Sequence, residues 1–153
     1  MARHRLRKSD IKALNDRLSG IGIEISKKDE VDLLEADNER TYLVNGEPWL
    51  FELDGSPIPH LRMLQTRPGL LKRVTVDRGA VKFIAKGADV MRPGIVAVED
   101  GIAPGQLVTV VEETHGKPLA VGKALLDTAS ILSADAGKTI RTIHWVGDKR
   151  WEA

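Results

Sequence analysis

Three basic residues in the middle of the chain recur at a spacing that could do chemistry. Arg78, Lys82 and Lys86 are four residues apart, and Arg92 follows in the turn "MRPGI". Residues four apart lie on neighbouring turns of a helix, so the first three would form a basic stripe. Lysine and arginine attract phosphates, and the glycine of the turn lets a ligand approach the backbone. These residue types therefore indicate the binding of a polyanion.

An aromatic residue accompanies the stripe. If Asp77 caps a helix from Arg78 to about Lys86, the buried face would comprise Val81, Ile84, Ala85 and Ala88. At 100° per residue Phe83 lies on the far side from that face, next to Lys86. Cations for phosphates beside a flat ring for bases suit single-stranded or looped RNA. The alternative is an ordinary solvated helix face, with Phe83 packed against another domain.

Other patterns that could support catalysis are incomplete. "AGKT" ends like a phosphate-binding loop, but Leu132 stands where that loop needs glycine. Cysteine is absent, and the four histidines lack the helical spacing of a zinc site. No serine has a nucleophile-elbow frame, which leaves open only a triad assembled from distant segments. The acidic pairs Glu99-Asp100 and Glu112-Glu113 fit solvated loops. We predict no enzyme activity, catalytic residue, metal or cofactor.

The composition is that of a soluble globular protein. Of the 153 residues, 42% are hydrophobic and 29% are charged, and the net charge is only +1. Any attraction to nucleic acid must therefore be local. The chain has neither a signal peptide nor a stretch of 18 apolar residues, so we expect a cytoplasmic protein with no membrane partner.

The N-terminal part reads as α+β. "SDIKALNDRLSG" predicts a helix capped by Ser9 and ended by Gly20, "IGIEIS" a half-buried strand, and "KKDEVDLLEA" a short helix. Strand-like runs then flank the turns at Asn45-Gly46 and Asp54-Gly55. Trp49 and Phe51 share one side of a strand, as core or as a partner surface. The basic start is either an rRNA-binding arm or a frayed terminus.

The C-terminal part reads as a small barrel or sandwich. Pro68-Gly69 breaks the chain, and we place a domain boundary near Leu71, which gives domains 1–71 and 72–153. A strand at "RVTVD" precedes the basic helix, and short strands follow it at "GIVAVEDG", "QLVTVVEE", "PLAVGKALLD" and "TIRTIHWVGD". The predicted fold class is α+β.

Twenty residues, "VDRGAVKFIAKGADVMRPGI", closely resemble the PUA domain, an RNA-binding module named after pseudouridine synthases and archaeosine transglycosylases. The resemblance rests on the matching positions Asp77, Gly79, Ala80, Phe83-Ile84, Gly87, Ala88, Pro93 and Gly94. The later "AVGKALL" and "IRTIHWVGDKRWEA" extend it. Upstream, residues 45–80 look like the pre-PUA domain and junction of archaeal relatives of the malignant T-cell amplified sequence proteins.

The resemblance implies a pre-PUA α+β domain followed by a six-stranded β pseudo-barrel with short helices. It also implies a groove between the first helix and last strand of the barrel that binds structured RNA. Carried onto this sequence, the RNA-binding residues are Arg78, Gly79, Ala80, Lys82, Lys86, Gly87, Ala88, Met91, Arg92, Pro93, Gly94, His144 and Trp145. Since His144 and Trp145 are adjacent on a strand, at least one must be packed.

From these observations we expect a non-catalytic protein that binds tRNA or rRNA in translation. The family's eukaryotic members act in initiation, re-initiation and recycling on the small ribosomal subunit, with a partner of the initiation-factor-one type. The alternative is an accessory subunit of a separate RNA-modifying enzyme, since PUA domains often accompany such enzymes. A protein-interaction module is the third interpretation.

Overall fold

The chain folds into two compact units, which are described separately. The computed structural model describes residues 1–152. The first unit is Met1–Met63 and the second begins at Leu64. The domain boundary that we propose near Leu71 precedes the first strand of the second unit, which begins at Lys72.

A five-stranded antiparallel sheet organises the first unit. Each strand pairs with the next one in the chain. The elements are β1 (Ala2–Arg5), α1 (Lys8–Leu18), β2 (Val31–Ala36), β3 (Glu39–Val44), β4 (Glu47–Leu53) and β5 (Ser56–Pro59). Helix α2 (Leu61–Thr66) contains the division between the two units.

Helix α1 confirms the predicted N-terminal helix but not its predicted ends. The N-cap residue is Arg7 rather than Ser9, and its backbone N–H donates to Asp10 Oδ2 at 3.2 Å. Gly20 lacks the positive φ that we expected of a helix-ending glycine. The apolar spacing located the helix, whereas its ends depend on local hydrogen bonds that the spacing does not encode.

Residues 21–26 alternate in burial as predicted but do not form a strand. Ile23 and Ile25 are buried between exposed neighbours. The side chain of Asn15 accepts from the Ile25 backbone N–H at 2.8 Å and donates to the Ile25 carbonyl at 2.9 Å. One amide side chain thus occupies both backbone groups that a neighbouring strand would use.

Residues 27–36, which we predicted to be a short helix, contain strand β2 instead. β2 pairs with β3 from Val31 opposite Val44 to Ala36 opposite Glu39. The connecting residues, Asp37 and Asn38, have φ of 51° and 64° and close a tight hairpin. A short apolar run fits a helix or a strand equally well, and here pairing on both edges decides the outcome.

The basic N-terminus is strand β1, neither a free arm nor a frayed end. Arg3 Nη2 donates to Asp32 Oδ2 at 2.8 Å, and Arg5 Nε donates to Asp32 Oδ1 at 2.6 Å. Hydrogen bonds from Arg5 and Arg3 hold the pKa of the Asp32 carboxyl below its usual value. These two arginines therefore stabilise the sheet edge.

Both predicted hairpin turns in the first unit are confirmed. Asn45-Gly46 joins β3 to β4 and Asp54-Gly55 joins β4 to β5, and all four residues have positive φ. Phe51 is fully buried, which confirms the core interpretation for that ring, while Trp49 is partly exposed. Right-handed strand twist favours such turns, which explains why these dipeptides are good sequence signals.

A six-stranded, nearly closed β pseudo-barrel forms the second unit. Its strand order is β7-β11-β10-β9-β6-β8, in which only the β6–β9 pair is parallel. The elements are β6 (Lys72–Val76), α3 (Arg78–Ile84), β7 (Val90–Met91), a 3-10 turn (Arg92–Gly94), β8 (Ile95–Val98), β9 (Leu107–Glu112), β10 (Pro118–Ala124), α4 (Thr128–Ser133), β11 (Lys138–Trp145) and α5 (Lys149–Glu152). The five strands predicted here are confirmed, and β7, α4 and α5 were missed.

Helix α3 is shorter than predicted, and its buried face differs. Ile84 is buried and Ala80 packs against the barrel core, but Ala85 and Ala88 are exposed. The helix ends after two turns because Gly87, at φ 87°, reverses the chain. Positions beyond the end of the helix no longer follow its periodicity.

One glycine in β10 permits the close approach of β11. A Cβ atom on Gly122 would collide with Ile140 Cγ2 and would lie 2.8 Å from the Arg141 carbonyl oxygen. The strand register shifts between Val121 and Gly122 at the same place. Only glycine fits this irregularity without moving the backbone of the next strand.

We predict that Gly122→Ala lowers the free energy of unfolding by about 1–3 kcal/mol, because the added methyl group overpacks the barrel. Gly69→Ala is the control, since a Cβ there meets nothing within 4 Å, and its effect should stay within about 0.5 kcal/mol. Urea unfolding measures both. Equal stabilities of the two variants would contradict the packing argument.

Candidate nucleic-acid interface

A groove of about 640 Å³ lies along helix α3 in the second unit. Residues from α3, β7, the 3-10 turn and the start of β11 line it. Six of the predicted contact residues are among them: Gly79, Ala80, Ala88, Met91, Pro93 and Gly94. The structure thus brings together residues up to 15 positions apart that sequence comparison alone placed in one site.

Asp77 joins the two sides of this groove. Its Oδ1 accepts from the Ala80 backbone N–H at 2.9 Å and caps α3, as predicted. Its own N–H donates to the Gly94 carbonyl at 2.9 Å. A Cβ atom on Gly94 would lie 3.0 Å from Ala80 Cβ, so the turn can approach the helix this closely only as glycine.

The basic stripe faces solvent. Arg78, Lys82 and Lys86 are exposed, and within residues 1–152 no salt bridge joins any of them to a carboxylate. Lys82 Nζ lies 5.2 Å from the centre of the Phe83 ring, within the range of a cation–π contact. The three charges are therefore available to an external anion.

Two large apolar side chains at the groove are exposed. Phe83 is 57% exposed and Met91 is 46% exposed. This placement agrees with the sequence prediction that Phe83 lies on the side of the helix away from the core. Single exposed apolar side chains are common on protein surfaces, so it is the position of these two at one groove, rather than their exposure, that favours a binding role.

Arg92 and Gly87, two further predicted contacts, do not line the groove but support the residues that do. Arg92 is partly buried, and its Nη1 donates to the Ile95 carbonyl at 3.1 Å, which braces the 3-10 turn. A Cβ atom on Gly87 would lie 2.7 Å from the Trp145 ring. Gly87 thus gives Trp145 the room to pack against the barrel core.

His144 and Trp145 lie mainly inside the protein. His144 is fully buried, with Nδ1 2.8 Å from Asp148 Oδ2. Burial raises the pKa of the Asp148 carboxyl. Hydrogen bonds from His144 and from the Trp145 and Trp151 backbone lower that pKa by more than burial raises it, so the pKa lies below its usual value. Of the two adjacent residues, His144 is thus the fully packed one, and neither lines the groove.

Lys138 and Asp89 line the groove and were missed by the sequence reasoning. Lys138 pairs with Met91 in the β7–β11 ladder, and its Nζ lies 3.4 Å from Asp89 Oδ2. In the sequence, Lys138 stands out only as part of the incomplete phosphate-binding loop "AGKT". No local signal places it beside α3, because β11 reaches the groove through a long-range strand pairing.

Two other kinds of site are absent from the described part of the chain. Residues 1–152 contain no group of three or more His, Cys, Asp or Glu side chains that could hold a metal ion. None of their helices has the length and apolar character needed to cross a membrane.

Two family models together match most of the sequence. The model described as "PUA domain" matches residues 72–146. The model described as "Domain of unknown function (DUF1947)" matches residues 2–67. The groove and its cations lie within the first of these two ranges.

Several relatives and a solved structure match the chain over most of its length. An uncharacterized protein of Methanocaldococcus jannaschii is 39% identical over 97% of this chain and 94% of its own. Translation machinery-associated protein 20 of Saccharomyces cerevisiae is 32% identical, over 83% and 74%. Malignant T-cell-amplified sequence 2 of Homo sapiens is 33% identical, over 82% and 72%. A crystal structure of a hypothetical protein from Pyrococcus horikoshii has a TM-score of 0.85 at 36% identity, over 99% and 98%.

We predict that Gly87→Ala lowers the free energy of unfolding because its methyl group collides with the Trp145 ring. Gly137→Ala is the matched control: both glycines have positive φ, 87° and 96°, but a Cβ on Gly137 meets nothing within 4 Å. Backbone strain alone should cost each variant about 1–2 kcal/mol. The collision should cost Gly87→Ala about 1–3 kcal/mol more in urea unfolding. The same loss in both variants would show that Trp145 does not depend on Gly87.

Proposed function

This chain belongs to the family of translation machinery-associated protein 20 and the malignant T-cell-amplified sequence proteins, and we propose that it binds tRNA or rRNA during translation. It carries a PUA RNA-binding domain, and its relatives are associated with the translation machinery. The observation that carries the proposal is the group of three exposed cations on and just after α3, which form no salt bridge within residues 1–152 and lie beside a largely apolar groove. No step of chemistry on the RNA is assigned to the chain.

The charges support an RNA ligand because they are local and free. The whole chain has a net charge of only +1, so a general attraction to polyanions is weak. Arg78 and Lys82 nevertheless lie exposed on α3, Lys86 is exposed just after its end, and within residues 1–152 none of the three side chains forms a salt bridge. A cation that already has a carboxylate partner must lose that partner to bind a phosphate, whereas these three need not.

The groove supports contacts to bases beside those phosphates. Its volume falls in the range of about 300–1,000 Å³ that small-ligand sites occupy. Phe83 supplies an exposed ring on which an unstacked base can lie. Gly79, Gly94 and Ala80 carry little or no side chain, so ribose and phosphate can approach the backbone.

The proposed RNA-contacting set follows from these placements. It comprises Arg78, Gly79, Ala80, Lys82, Phe83, Lys86, Ala88, Met91, Pro93, Gly94 and Lys138. Gly87, Arg92, His144 and Trp145, which the family resemblance also suggested, act in the proposal by shaping the groove rather than by touching RNA.

We further propose that the protein acts in the cytoplasm on the small ribosomal subunit, in initiation, re-initiation or recycling. The translation association of its relatives supports this setting. The N-terminal unit would position the RNA-binding unit or recruit a protein of the initiation-factor-one type. In this proposal the second unit binds the RNA and the first unit binds a protein, which gives each of the two units a role.

We predict that Lys82→Glu/Lys86→Glu abolishes most RNA binding without unfolding the protein. If three or four cations each neutralise a phosphate, the log of the wild-type affinity should fall against log salt with a slope of roughly −2 to −3. The double variant should lose at least about 1.4 from the magnitude of that slope, since two contacts of about 0.7 each disappear. Fluorescence anisotropy with a labelled single-stranded RNA measures both quantities.

The matched control is Lys27→Glu/Lys28→Glu, which makes the same change in net charge at two exposed lysines in the other unit. It should retain the wild-type affinity and slope. Equal losses in the two double variants would mean that net charge, not this helix, attracts RNA. Thermal unfolding of each variant checks that the fold is intact.

We also predict that the protein co-sediments with small ribosomal subunits from its own source, and that Lys82→Glu/Lys86→Glu does not. Sucrose-gradient fractions probed for the protein give the measurement, with Lys27→Glu/Lys28→Glu as the control. Recovery with an RNA-modifying enzyme and not with ribosomal subunits would favour the accessory-subunit alternative. Recovery in RNA-free complexes would favour a protein-interaction module.

A further inference from the structure

The groove contains charged residues of both signs, which an electrostatic role alone does not explain. Asp77, Asp89 and Lys138 are the charged residues among those that line it. Asp77 is accounted for, because it caps helix α3. A carboxylate in the path of a polyanion weakens binding through repulsion unless it accepts a hydrogen bond from the ligand. Asp89 therefore requires an explanation of its own.

Asp89 is held in a fixed position at the groove. The Thr142 backbone N–H donates to its Oδ1 at 3.0 Å, and the Thr142 hydroxyl donates to the adjacent Ala88 carbonyl at 2.8 Å. Its other oxygen, Oδ2, lies 3.4 Å from Lys138 Nζ. The Asp89 side chain is 25% exposed and that of Lys138 is 64% exposed. The pair thus presents an oriented acceptor and a more exposed donor, side by side, at a largely apolar site.

We propose that the Asp89–Lys138 pair reads the edge of one unstacked nucleobase and prefers a base with an exocyclic amino group to uracil. This inference rests on the proposed RNA-binding function and adds a base preference to it. In the bound state the base lies within the apolar groove near Phe83, and its edge meets the pair.

The preference follows from the hydrogen-bonding groups on each base. An ionised carboxylate only accepts hydrogen bonds, and an ammonium only donates them. Adenine and cytosine place an amino donor next to a ring-nitrogen acceptor, which complements an acceptor beside a donor. Guanine also offers an amino group. The only ring donor of uracil, N3–H, lies between two carbonyl oxygens, which would repel the Asp89 carboxylate.

A purely structural role for Asp89 makes the opposite prediction. In that case the carboxylate only accepts from Thr142 and joins β7 to β11. Asp89→Asn keeps an oxygen that can accept from the Thr142 N–H and removes one negative charge near the RNA. It should then strengthen the binding of every RNA alike. The sign of the effect, and its dependence on the base, separates the two roles.

The test compares eight-nucleotide oligo(A), oligo(C) and oligo(U) by fluorescence anisotropy at one salt concentration, with the full chain. We expect the wild-type protein to bind oligo(A) and oligo(C) about tenfold more tightly than oligo(U), at the lower end of what one good base-edge contact supplies. In Asp89→Asn the affinities for oligo(A) and oligo(C) should fall to near that for oligo(U). Lys138→Gln, which leaves the Asp89–Thr142 bond untouched, should also reduce the preference.

Asp135→Asn is the matched control. Asp135 is exposed, lies in the loop before Lys138 and does not line the groove, so this variant has the same charge change. It should keep the full base preference. The salt dependence of binding should be unchanged in Asp89→Asn, since no phosphate contact is lost.

The possible failures are distinguishable. Equal wild-type affinity for the three oligonucleotides, with a normal salt slope, would overturn the base-reading role and leave the proposed RNA binding standing. Tighter binding of all three by Asp89→Asn would show that the residue is structural only. If the wild-type protein binds none of them at low salt, the proposed RNA-binding function itself fails.

Discussion

The groove depends on two hydrogen bonds made by one residue, Asp77. Its side chain caps α3 through the Ala80 N–H, and its backbone N–H binds the Gly94 carbonyl of the 3-10 turn. The first bond fixes where the helix begins, and the second fixes how far the turn lies from it. A helix of only two turns has little intrinsic stability, so its position must come from such bonds and from the burial of Ile84. The two hydrogen bonds of Asp77 therefore also determine where the basic side chains on the helix point.

The exposed side of α3 carries side chains that do not stabilise the fold. Phe83 leaves apolar surface in water that an alanine would not, and within residues 1–152 the three side chains of the basic stripe form no salt bridge. The residues that hold the groove from behind, Arg92, Gly87 and Trp145, have the opposite character, since they are packed or hydrogen bonded. Because these packed residues hold the groove in place, the protein would lose little conformational entropy when a ligand binds there.

Sequence patterns predicted most of the strands and the basic helix, and they failed where the determining contact is distant. The dipeptides Asn45-Gly46 and Asp54-Gly55 specify their turns locally, and both turns were found. The run "VDLLEA" is too short to distinguish a helix from a strand, and its two strand neighbours decide. Lys138 reaches the groove because β11 pairs with β7 across almost 50 residues of chain, for which Lys138 itself carries no signal. The family resemblance named residues of the groove, but it did not distinguish those that line it from those that pack beneath it.

That distinction matters because charge alone cannot make a selective RNA site. Phosphates are the same in every sequence, so a row of lysines adds affinity and no preference among RNAs. Selectivity needs a fixed group that meets a base edge, and a group is fixed only if the fold holds it. Among the charged residues at the groove, Lys138 reaches solvent on a long side chain, whereas Asp89 is tied to the Thr142 backbone on the barrel. In the proposed complex the acidic residue is therefore the better placed of the two to discriminate between bases, although its charge would oppose the approach of RNA.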